Sequence, residues 1–338
     1  MKYQIRNLLV TGAAGFIGSN FVKIMLSRYS EIFLISLDKL TYAGNMNNLL
    51  PVQHFKNHIF VQGDILDYEL VNNLLKQYNI DTIVHFAAES HVDNSIEKPQ
   101  LFLETNIQGT FTLLEEAKKF WFQEKQWDKS QCRFHHVSTD EVYGSLNKSD
   151  PPFIEESAYK PNSPYSASKA SSDHFVRAYF HTYGLPVLTS NCSNNFGPNQ
   201  HIEKLIPKVI NVCLAERPIR VYGNGTNVRD WLHVSDHCEA IDLILHRGVL
   251  GEAYNIGGNN ELSNLSLIRT ICQIMSDLKP TTRSYESLIE FVEDRKGHDH
   301  RYAINNTKIF SELGWEPKKN FHQALVETIE HYINLIQK

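Results

Sequence analysis

The chain has 338 residues, 42% of them hydrophobic and 21% charged, so it can bury a large core in one or two closely joined domains. A formal net charge of −5 argues against a broad nucleic-acid surface, and no apolar stretch approaches the roughly 18 uncharged residues of a membrane span. Five cysteines without a CxxC pair indicate neither a zinc cluster nor a disulfide framework. We therefore expect a cytoplasmic protein with no bound metal and with neither nucleic acid nor membrane as a partner.

Short β-branched or apolar runs alternate with segments of helical period through the first part of the chain. The predicted strands are 5–10, 32–37, 58–61, 82–86, 134–137 and 187–190, and the predicted helices are 15–29, 67–78 and 106–122. This alternation predicts βαβ units and an α/β fold of the Rossmann type, with a doubly wound parallel sheet. In such a sheet the ligand binds beyond the carboxyl ends of the strands.

After about residue 190 the pattern loosens into stretches rich in proline and glycine, separated by helical runs. We predict a Rossmann domain over residues 1–190, with a returning segment around 228–257. A smaller α/β C-terminal domain for the substrate is predicted over 191–338. Residues 121–132 are expected to form a polar surface extension of a helix, and residues 145–164 a long loop.

A glycine loop, Gly12–Gly18, joins the first strand to the first helix. Glycines there let the backbone approach a pyrophosphate, whose charge is favoured by the free N–H groups at the helix start. Asp38 ends the second strand twenty positions later, where an acid binds the adenosine ribose hydroxyls and disfavours a 2′-phosphate. Residues 63–65 and 86–88 follow the third and fourth strands. Each of these features alone is an ordinary turn or packing choice, but the ordered set predicts NAD binding.

Tyr165 and Lys169 are four positions apart and therefore share one face of a predicted helix. A cation beside a phenol stabilises the phenolate and lowers the pKa of the phenol towards working pH. Taken alone, such a pair is more often a solvated helix face. Here it follows the NAD pattern and a strand that ends in Ser138 and Thr139, which favours a catalytic role.

With Asn106 and residues 86–88, these motifs make the chain resemble the extended short-chain dehydrogenase/reductase family over nearly its whole length. The resemblance implies that Tyr165 is the base for a substrate hydroxyl, that Thr139 hydrogen-bonds the same oxygen and that Lys169 holds the nicotinamide ribose. The cofactor-binding residues that it implies for NAD are Gly12, Gly15, Phe16, Ile17, Gly18, Asp38, Lys39, Thr41, Asp64, Ile65, Phe86, Ala87, Ala88, Ser90, Thr105, Tyr165, Lys169 and Asn195.

Two adjacent acids, Asp140 and Glu141, follow the strand that ends at Thr139. Oxidation of a sugar C4 hydroxyl to a ketone acidifies the hydrogen at C5, so a base at C5 and an acid at the C6 hydroxyl can then eliminate water. Crowding two carboxyl groups separates their pKa values and supplies such a pair. The competing interpretation is a solvated turn or a helix N-terminus, where acids suit the helix dipole.

Residues 37–44, 87–93, 138–144, 193–200 and 227–234 resemble the nucleotide-sugar 4,6-dehydratases, a branch of the same family. That resemblance implies that Glu141 is the base at C5 and that Asp140 is the acid at the C6 oxygen. NADH then returns its hydride to C6, and the product is a 4-keto-6-deoxy sugar. The resemblance also implies a homodimer in which helices around 106–122 and 166–183 of two subunits form a four-helix bundle.

A nucleotide-activated hexose needs cations for its diphosphate, and Arg229 carries a guanidinium suited to bidentate phosphate contact. The expected substrate is dTDP-glucose, with UDP, CDP and GDP carriers left open. The substrate-binding residues that the resemblance implies are Ser90, Thr139, Asn194, Lys204, Leu205, Arg220, Val221, Tyr222, Arg229, Asn264, Asp294, Arg295 and His298.

Two other classes of function remain open from the sequence. A 4-epimerase or decarboxylase on the same scaffold would share the oxidation step, but it leaves the pair Asp140 and Glu141 unexplained. An NAD-binding scaffold or redox sensor would be expected to have lost Tyr165, Lys169 or Thr139, and all three are present.

Overall fold

The computed structural model describes residues 3–336 of the chain. The strands within that range are β1 Asn7–Thr11, β2 Phe33–Asp38, β3 His58–Gln62, β4 Thr82–His85, β5 Arg133–Thr139, β6 Val187–Cys192, β7 Asn194–Phe196, β8 Ile219–Tyr222, β9 Val228–His233, β10 Ala253–Ile256, β11 Glu261–Ser263 and β12 Ile289–Val292.

The α-helices are α1 Phe16–Arg28, α2 Tyr68–Gln77, α3 Val92–Glu97, α4 Pro99–Phe102, α5 Thr110–Lys118, α6 Pro164–Tyr183, α7 Leu205–Leu214, α8 Val234–Arg247, α9 Asn264–Leu278, α10 Thr307–Leu313 and α11 Phe321–Ile336. Segments Met46–Val52, Asp140–Tyr143 and Tyr285–Leu288 are 3₁₀-helical, and π-helical turns at Leu103–Gly109 and Lys119–Glu124 flank α5.

Seven parallel strands form the central sheet in the order β10-β6-β5-β4-β1-β2-β3. The order reverses between β1 and β4, and this switch point opens the crevice in which α/β sheets of this type bind their ligands. The predicted α/β Rossmann fold is therefore confirmed.

The central strands are almost completely buried because helices cover both faces of the sheet. Residues of α1 and α8 pack in one hydrophobic cluster with β1 and β2, and residues of α2, α5 and α6 pack in a second cluster on the opposite face. This burial fixes the strand ends, and the loops that follow the strands converge on the switch point.

The remaining strands form two small sheets, β11-β9-β7 and β12-β8. With α7, α9 and α11 they surround a separate hydrophobic cluster. Within the segment 228–257, β9 pairs with β7 and β11 in this second unit, whereas α8 and β10 lie with the central sheet.

The prediction that residues 121–132 form a polar surface extension is wrong at both ends of that segment. Trp121 is fully buried and its indole nitrogen donates a hydrogen bond to the Ile80 carbonyl at 2.8 Å, and Cys132 is buried as well. Trp121 lies in the π-helical turn after α5, where the wider spacing of a π-turn changes which side chains face the core. The residues between the two remain mostly exposed.

Candidate active site

The glycine loop after β1 lies against the chain that leaves β4. Gly12 has a φ of +68°, and a Cβ atom there would lie 2.6 Å from the Ala87 nitrogen. A Cβ atom on Gly18 would lie 2.2 Å from the Gly12 carbonyl oxygen. The first glycine therefore permits the tight turn and the contact with β4, and the third permits close packing of the helix on the loop.

Helix α1 begins at Phe16, and no side chain caps its first turn. Its free backbone N–H groups point into the crevice beside the glycine loop, the arrangement that binds a pyrophosphate. The loop and the helix start therefore fit a dinucleotide.

Asp38 closes the cradle at the end of β2. One carboxylate oxygen accepts from the Ala14 N–H at 2.9 Å and the other from the Leu40 N–H at 2.8 Å, and burial raises the pKa of the carboxyl group. These bonds hold the carboxylate next to the glycine loop, and each oxygen keeps a further lone pair for a ribose hydroxyl. The next acid, Asp64, is tied to the exposed Lys39 by an ion pair of 2.6 Å.

The other residues predicted to bind NAD are distributed around this cradle with differing exposure. Both polar atoms of the Asn195 side-chain amide already have partners. The oxygen lies 3.0 Å from the His237 ring nitrogen, and the nitrogen donates to the Ser193 carbonyl at 3.0 Å. Thr41 is exposed, Ile65 is buried, and those of intermediate exposure are Gly15, Phe16, Ile17, Phe86, Ala87, Ala88, Ser90 and Thr105. Their contacts with NAD stay predictions.

Tyr165 and Lys169 lie one turn apart on α6, whose start is fixed by a capping box between Ser163 and Ser166. Both side chains are buried. The Lys169 ammonium donates to the Val137 carbonyl at 2.8 Å, on the strand that leads to Thr139. The predicted helix face is therefore present, and it points at the end of β5.

The pKa of Tyr165 differs in direction from the sequence-based expectation. Burial raises it well above the ordinary value, the charges of Glu141 and Asp140 raise it further, and a hydrogen bond with Thr139 lowers it. Desolvation and two nearby acids outweigh the lysine one turn away, because Lys169 directs its ammonium to a backbone carbonyl. The positive nicotinamide ring of bound NAD⁺ would act in the opposite direction.

Asp140 and Glu141 begin the 3₁₀ segment that follows Thr139. Asp140 is only 2% exposed, and one of its carboxylate oxygens has no hydrogen-bond partner in the described residues 3–336. Its other oxygen lies 3.4 Å from the Thr139 hydroxyl. Burial, followed by the charges of Glu141 and Asp230, raises the pKa of Asp140 well above the ordinary value, which favours its protonated form.

Glu141 lies in a different electrostatic environment from its neighbour. Burial raises its pKa, but the charges of Arg229, Lys204 and Arg295 oppose that rise. Three cations act on Glu141 against one other acid, Asp299. Asp140 is instead next to two acids, Glu141 and Asp230, and one cation, Arg229. The two adjacent carboxyl groups are separated into one suited to donate a proton and one suited to accept it.

The three cations come from separate parts of the second unit. Lys204, just before α7, donates to the Ser90 carbonyl at 2.8 Å. Arg295 pairs with Asp93 at 3.4 Å, and its buried Nε has no partner within residues 3–336. That orphaned donor and the Lys204 ammonium concentrate positive charge next to Glu141, an arrangement that suits a phosphate group.

Arg229 is more enclosed than the sequence suggested. It is 6% exposed and donates to the carbonyl groups of Val228 at 2.7 Å and Asp299 at 3.0 Å. Its guanidinium lies 4.2 Å from the centre of the Tyr302 ring. These bonds and a longer one to the His300 carbonyl at 3.5 Å engage part of the guanidinium, and its charge lowers the pKa values of Asp140 and Glu141.

The other predicted substrate residues of the second unit differ in exposure and in hydrogen-bond partners. Tyr222 directs its hydroxyl to Asp93 at 3.5 Å, Asp294 pairs with His298 at 2.6 Å, and Asn194 has a buried amide oxygen without a partner in the described part of the chain. Arg220 is exposed on β8, next to the buried Val221, and Leu205 and Asn264 begin α7 and α9. Their contacts with substrate stay predictions.

Two buried residues were not assigned to the site from the sequence. Asn106 bonds both backbone groups of Glu89, at 2.8 and 3.0 Å, and the Ser168 hydroxyl at 2.8 Å, which fastens the loop after β4 to α6. Asp173, one turn beyond Lys169, bonds three side chains. Asn106 was part of a recognised motif, whereas Asp173 carried no signal beyond its spacing from Lys169.

Neither a metal nor a membrane is indicated by the described part of the chain. Residues 3–336 contain no group of three or more His, Cys, Asp or Glu side chains that could hold a metal ion. The same residues include no helix with the length and apolar character needed to cross a bilayer.

Known proteins resemble this chain over almost its whole length. The family model described as GDP-mannose 4,6 dehydratase matches residues 9–328, a range that includes every residue of the site. A dTDP-glucose 4,6-dehydratase of Xanthomonas campestris pv. campestris is 52% identical over 327 residues, which cover 96% of this chain and 92% of that protein.

Two solved structures show the same fold. A dTDP-glucose 4,6-dehydratase from Bacillus anthracis in complex with NAD is 48% identical, with a TM-score of 0.85 over 97% of this chain and 96% of that chain. A dTDP-glucose 4,6-dehydratase from Streptomyces venezuelae with NAD and TYD bound is 45% identical, with a TM-score of 0.88 over 97% of each chain.

Proposed function

The chain belongs to the GDP-mannose 4,6 dehydratase family, and from that membership and the site we infer that it catalyses the dTDP-glucose 4,6-dehydratase reaction with NAD. It is a hydro-lyase that converts dTDP-glucose into dTDP-4-dehydro-6-deoxy-D-glucose. The observation that carries this inference is the pair Asp140 and Glu141, held in one turn beside Tyr165 with opposed electrostatic surroundings.

Bound NAD supplies the two-electron chemistry, by which a hydride leaves C4 and later returns at C6. In the first step Tyr165 accepts the proton of the C4 hydroxyl, and Thr139 donates a hydrogen bond to the same oxygen. The buried ammonium of Lys169, one turn from Tyr165, donates a hydrogen bond to the Val137 carbonyl. These groups produce the C4 ketone that makes the C5 hydrogen acidic.

Elimination follows between the two carboxyl groups. Glu141, whose ionised form is favoured by three cations, removes the C5 proton, and Asp140, whose protonated form is favoured by burial, gives its proton to the departing C6 hydroxyl. The bond between C6 and oxygen breaks and water leaves. Glu141 then returns a proton to C5 as the methyl group forms.

Substrate binding is proposed to use the cations at the edge of the second unit. Lys204 and Arg295 both place positive charge near Glu141, and the buried Nε of Arg295, which has no partner within residues 3–336, suits a phosphate oxygen. Tyr222, the last residue of β8, offers an aromatic ring on which the nucleobase can stack. Residues 1–190 would hold NAD and residues 191–338 the nucleotide sugar, apart from the returning segment around 228–257.

A direct test incubates the purified protein with dTDP-glucose and measures the alkali-induced absorbance of a 4-keto-6-deoxy product. A 4-epimer in place of that product would indicate an epimerase, and unchanged substrate would indicate a scaffold or sensor. Turnover of dTDP-, UDP-, CDP- and GDP-glucose in parallel identifies the carrier. With hexose labelled at C4, the label should appear in the new methyl group, and its absence there would contradict the internal hydride transfer.

A homodimer is supported by an exposed apolar surface on the helices around the π-helical turn before α5. Leu103, Phe111, Phe175 and Tyr183 are each at least 40% exposed, and the rings of Phe111 and Phe175 meet edge to face at 6.1 Å. Exposed apolar side chains grouped on two neighbouring helices suit a bundle with a second subunit. Light scattering should give twice the chain mass, and Phe111→Glu with Phe175→Glu should give the monomer.

The proposed location is the cytoplasm. All five cysteines are free and buried, which suits a reducing compartment. The product of the reaction is a precursor of deoxysugars such as dTDP-rhamnose, and we propose a role at the entry to polysaccharide deoxysugar synthesis.

A further inference from the structure

A buried carboxylate lies one helical turn beyond Lys169, on the side away from the sugar-binding crevice. Asp173 is 5% exposed. The His136 ring lies 3.0 Å from one carboxylate oxygen, and the Ser138 and Tyr159 hydroxyls donate to the other at 2.8 and 2.9 Å. Two hydroxyl donors converge on one oxygen and a ring nitrogen faces the other, which fits an ionised carboxylate that accepts at both oxygens.

Lys169 is an equally buried cation that has few charge partners of its own. Its ammonium donates to the Val137 carbonyl at 2.8 Å and lies 3.5 Å from the His136 ring nitrogen that also faces Asp173. Burial lowers the pKa of Lys169, and the charge of Asp173 is the largest influence that opposes this. Without that charge, an ammonium in this environment would be costly to keep.

The groups between the two charges are neutral at working pH. Burial lowers the pKa of His136 to about 4, so the neutral ring contacts Asp173 through Nε2 without adding a charge. Burial raises the pKa of the Cys192 thiol to about 12, so this thiol does not supply an anion to Lys169. Asp173 is therefore the carboxylate on which the charge of Lys169 depends.

We propose that Asp173 is a positioning residue that keeps Lys169 protonated and fixes the His136 ring beside it. This rests on the proposed role of Lys169 in holding the nicotinamide ribose and assisting Tyr165. The acid acts through the lysine, and it touches neither the sugar nor the cofactor in that proposal.

Other titratable groups face this pair and could modulate it. Next to Lys169 and Asp173 lie His85, His136, Tyr143, Tyr159 and Cys192. On its other side Asp173 borders a cavity of about 470 Å³ whose charged lining includes Glu155, His174, Arg177, Glu252 and Lys308. Both signs of charge are present in that lining, and its residues reach solvent more readily than Asp173.

The test compares the pH dependence of wild type and Asp173→Asn by two readouts, the kcat for product formation and the affinity for NAD. Because Asp173 raises the pKa of Lys169, its removal should lower that pKa. The alkaline limit of both readouts should therefore move to lower pH by at least about 1 pH unit. Asp173→Glu keeps the charge and should restore the wild-type limit.

A matched control separates the charge from the packing. Asp242 is a similarly buried acid on α8 that binds Arg28, Tyr29 and His246 far from the site. Asp242→Asn should lower the Tm and leave the alkaline limit in place. If Asp173→Asn also lowers the Tm and leaves the alkaline limit in place, Asp173 has only a structural role and the inference is wrong.

Two situations need a further measurement: a variant that does not fold, and a wild type without dehydratase activity. If Asp173→Asn does not fold, Asp173→Ser replaces it, a smaller neutral residue that can still pair with Tyr159. If wild type does not turn over dTDP-glucose, the proposed function fails, but the NAD affinity still decides the inference. An unchanged pH dependence of NAD binding in the neutral variant would then refute it.

Discussion

Glu141→Gln offers the sharpest separation of the two halves of the proposed reaction. The substitution keeps the size and polarity of the side chain and removes the base at C5. Loss of a positioned general base costs about 10²- to 10⁴-fold in rate, which corresponds to about 3–5 kcal/mol in the barrier to elimination. Product formation should fall by that factor.

The oxidation step should respond in the opposite direction. After burial, the charge of Glu141 is the largest influence that raises the pKa of Tyr165. Removing that charge makes the phenolate easier to form, so C4 oxidation should proceed at the wild-type rate or faster. Reduced cofactor should therefore accumulate on the variant, whereas in wild type it is consumed as the methyl group forms.

The assay mixes an excess of NAD-loaded enzyme with dTDP-glucose and follows the absorbance of the reduced nicotinamide together with the product. Solvent deuterium should enter C5 in wild type and not in the variant. Glu116→Gln is a matched control, because Glu116 is also buried and accepts a hydrogen bond, from the Asn72 amide nitrogen at 2.7 Å, but lies on α5 outside the site. Wild-type product formation by Glu141→Gln, or no reduction of NAD, would refute the assigned role.

Three other outcomes follow from the same geometry. Tyr165→Phe should suppress both NAD reduction and product formation by about 10²-fold or more, and accumulation of reduced cofactor in this variant would contradict its role as the first base. Gly12→Ala should weaken NAD binding by more than about tenfold in a calorimetric titration, because φ is +68° and the new Cβ would lie 2.6 Å from a backbone nitrogen. Gly15→Ala should lose less NAD affinity, because the nearest atom to its new Cβ lies 3.2 Å away. Glu141 acts as an ionised base, so kcat/KM should fall as the pH drops through its raised pKa. Arg295→Gln removes a cation that lowers the pKa of Glu141, so it should move the acid limb of the pH profile to higher pH. A shift of that limb to lower pH would show that the charge of Arg295 acts elsewhere.

Much of the cofactor site could be predicted because it depends on local sequence. The spacing from Gly12 to Asp38 reflects one βαβ unit, and the period of the hydrophobic residues located β1, α1 and β2 to within a few residues. Trp121 shows the limit of such reasoning. The residues from Gln123 onward are mostly polar, but a π-helical turn places Trp121 with its indole in the core.

The electrostatics of the site could not be predicted in the same way. Lys169 sits one turn from Tyr165, as the sequence required, but its ammonium points to a carbonyl and the phenol pKa is raised. Arg229 was expected to meet a phosphate, and part of its guanidinium is engaged by backbone carbonyls. Such outcomes depend on which donors and acceptors tertiary packing brings within reach.

The sequence by itself determined that Asp140 and Glu141 end a strand next to a Tyr–Lys helix, since those positions follow from chain order and helical period. Only the tertiary structure decided how the two acids differ. Arg229, Lys204 and Arg295 arrive from distant segments to surround Glu141, whereas Asp230 faces Asp140. Charge interactions in a buried site fall off with distance through space and not along the chain, so they are fixed only when the two units fold against each other.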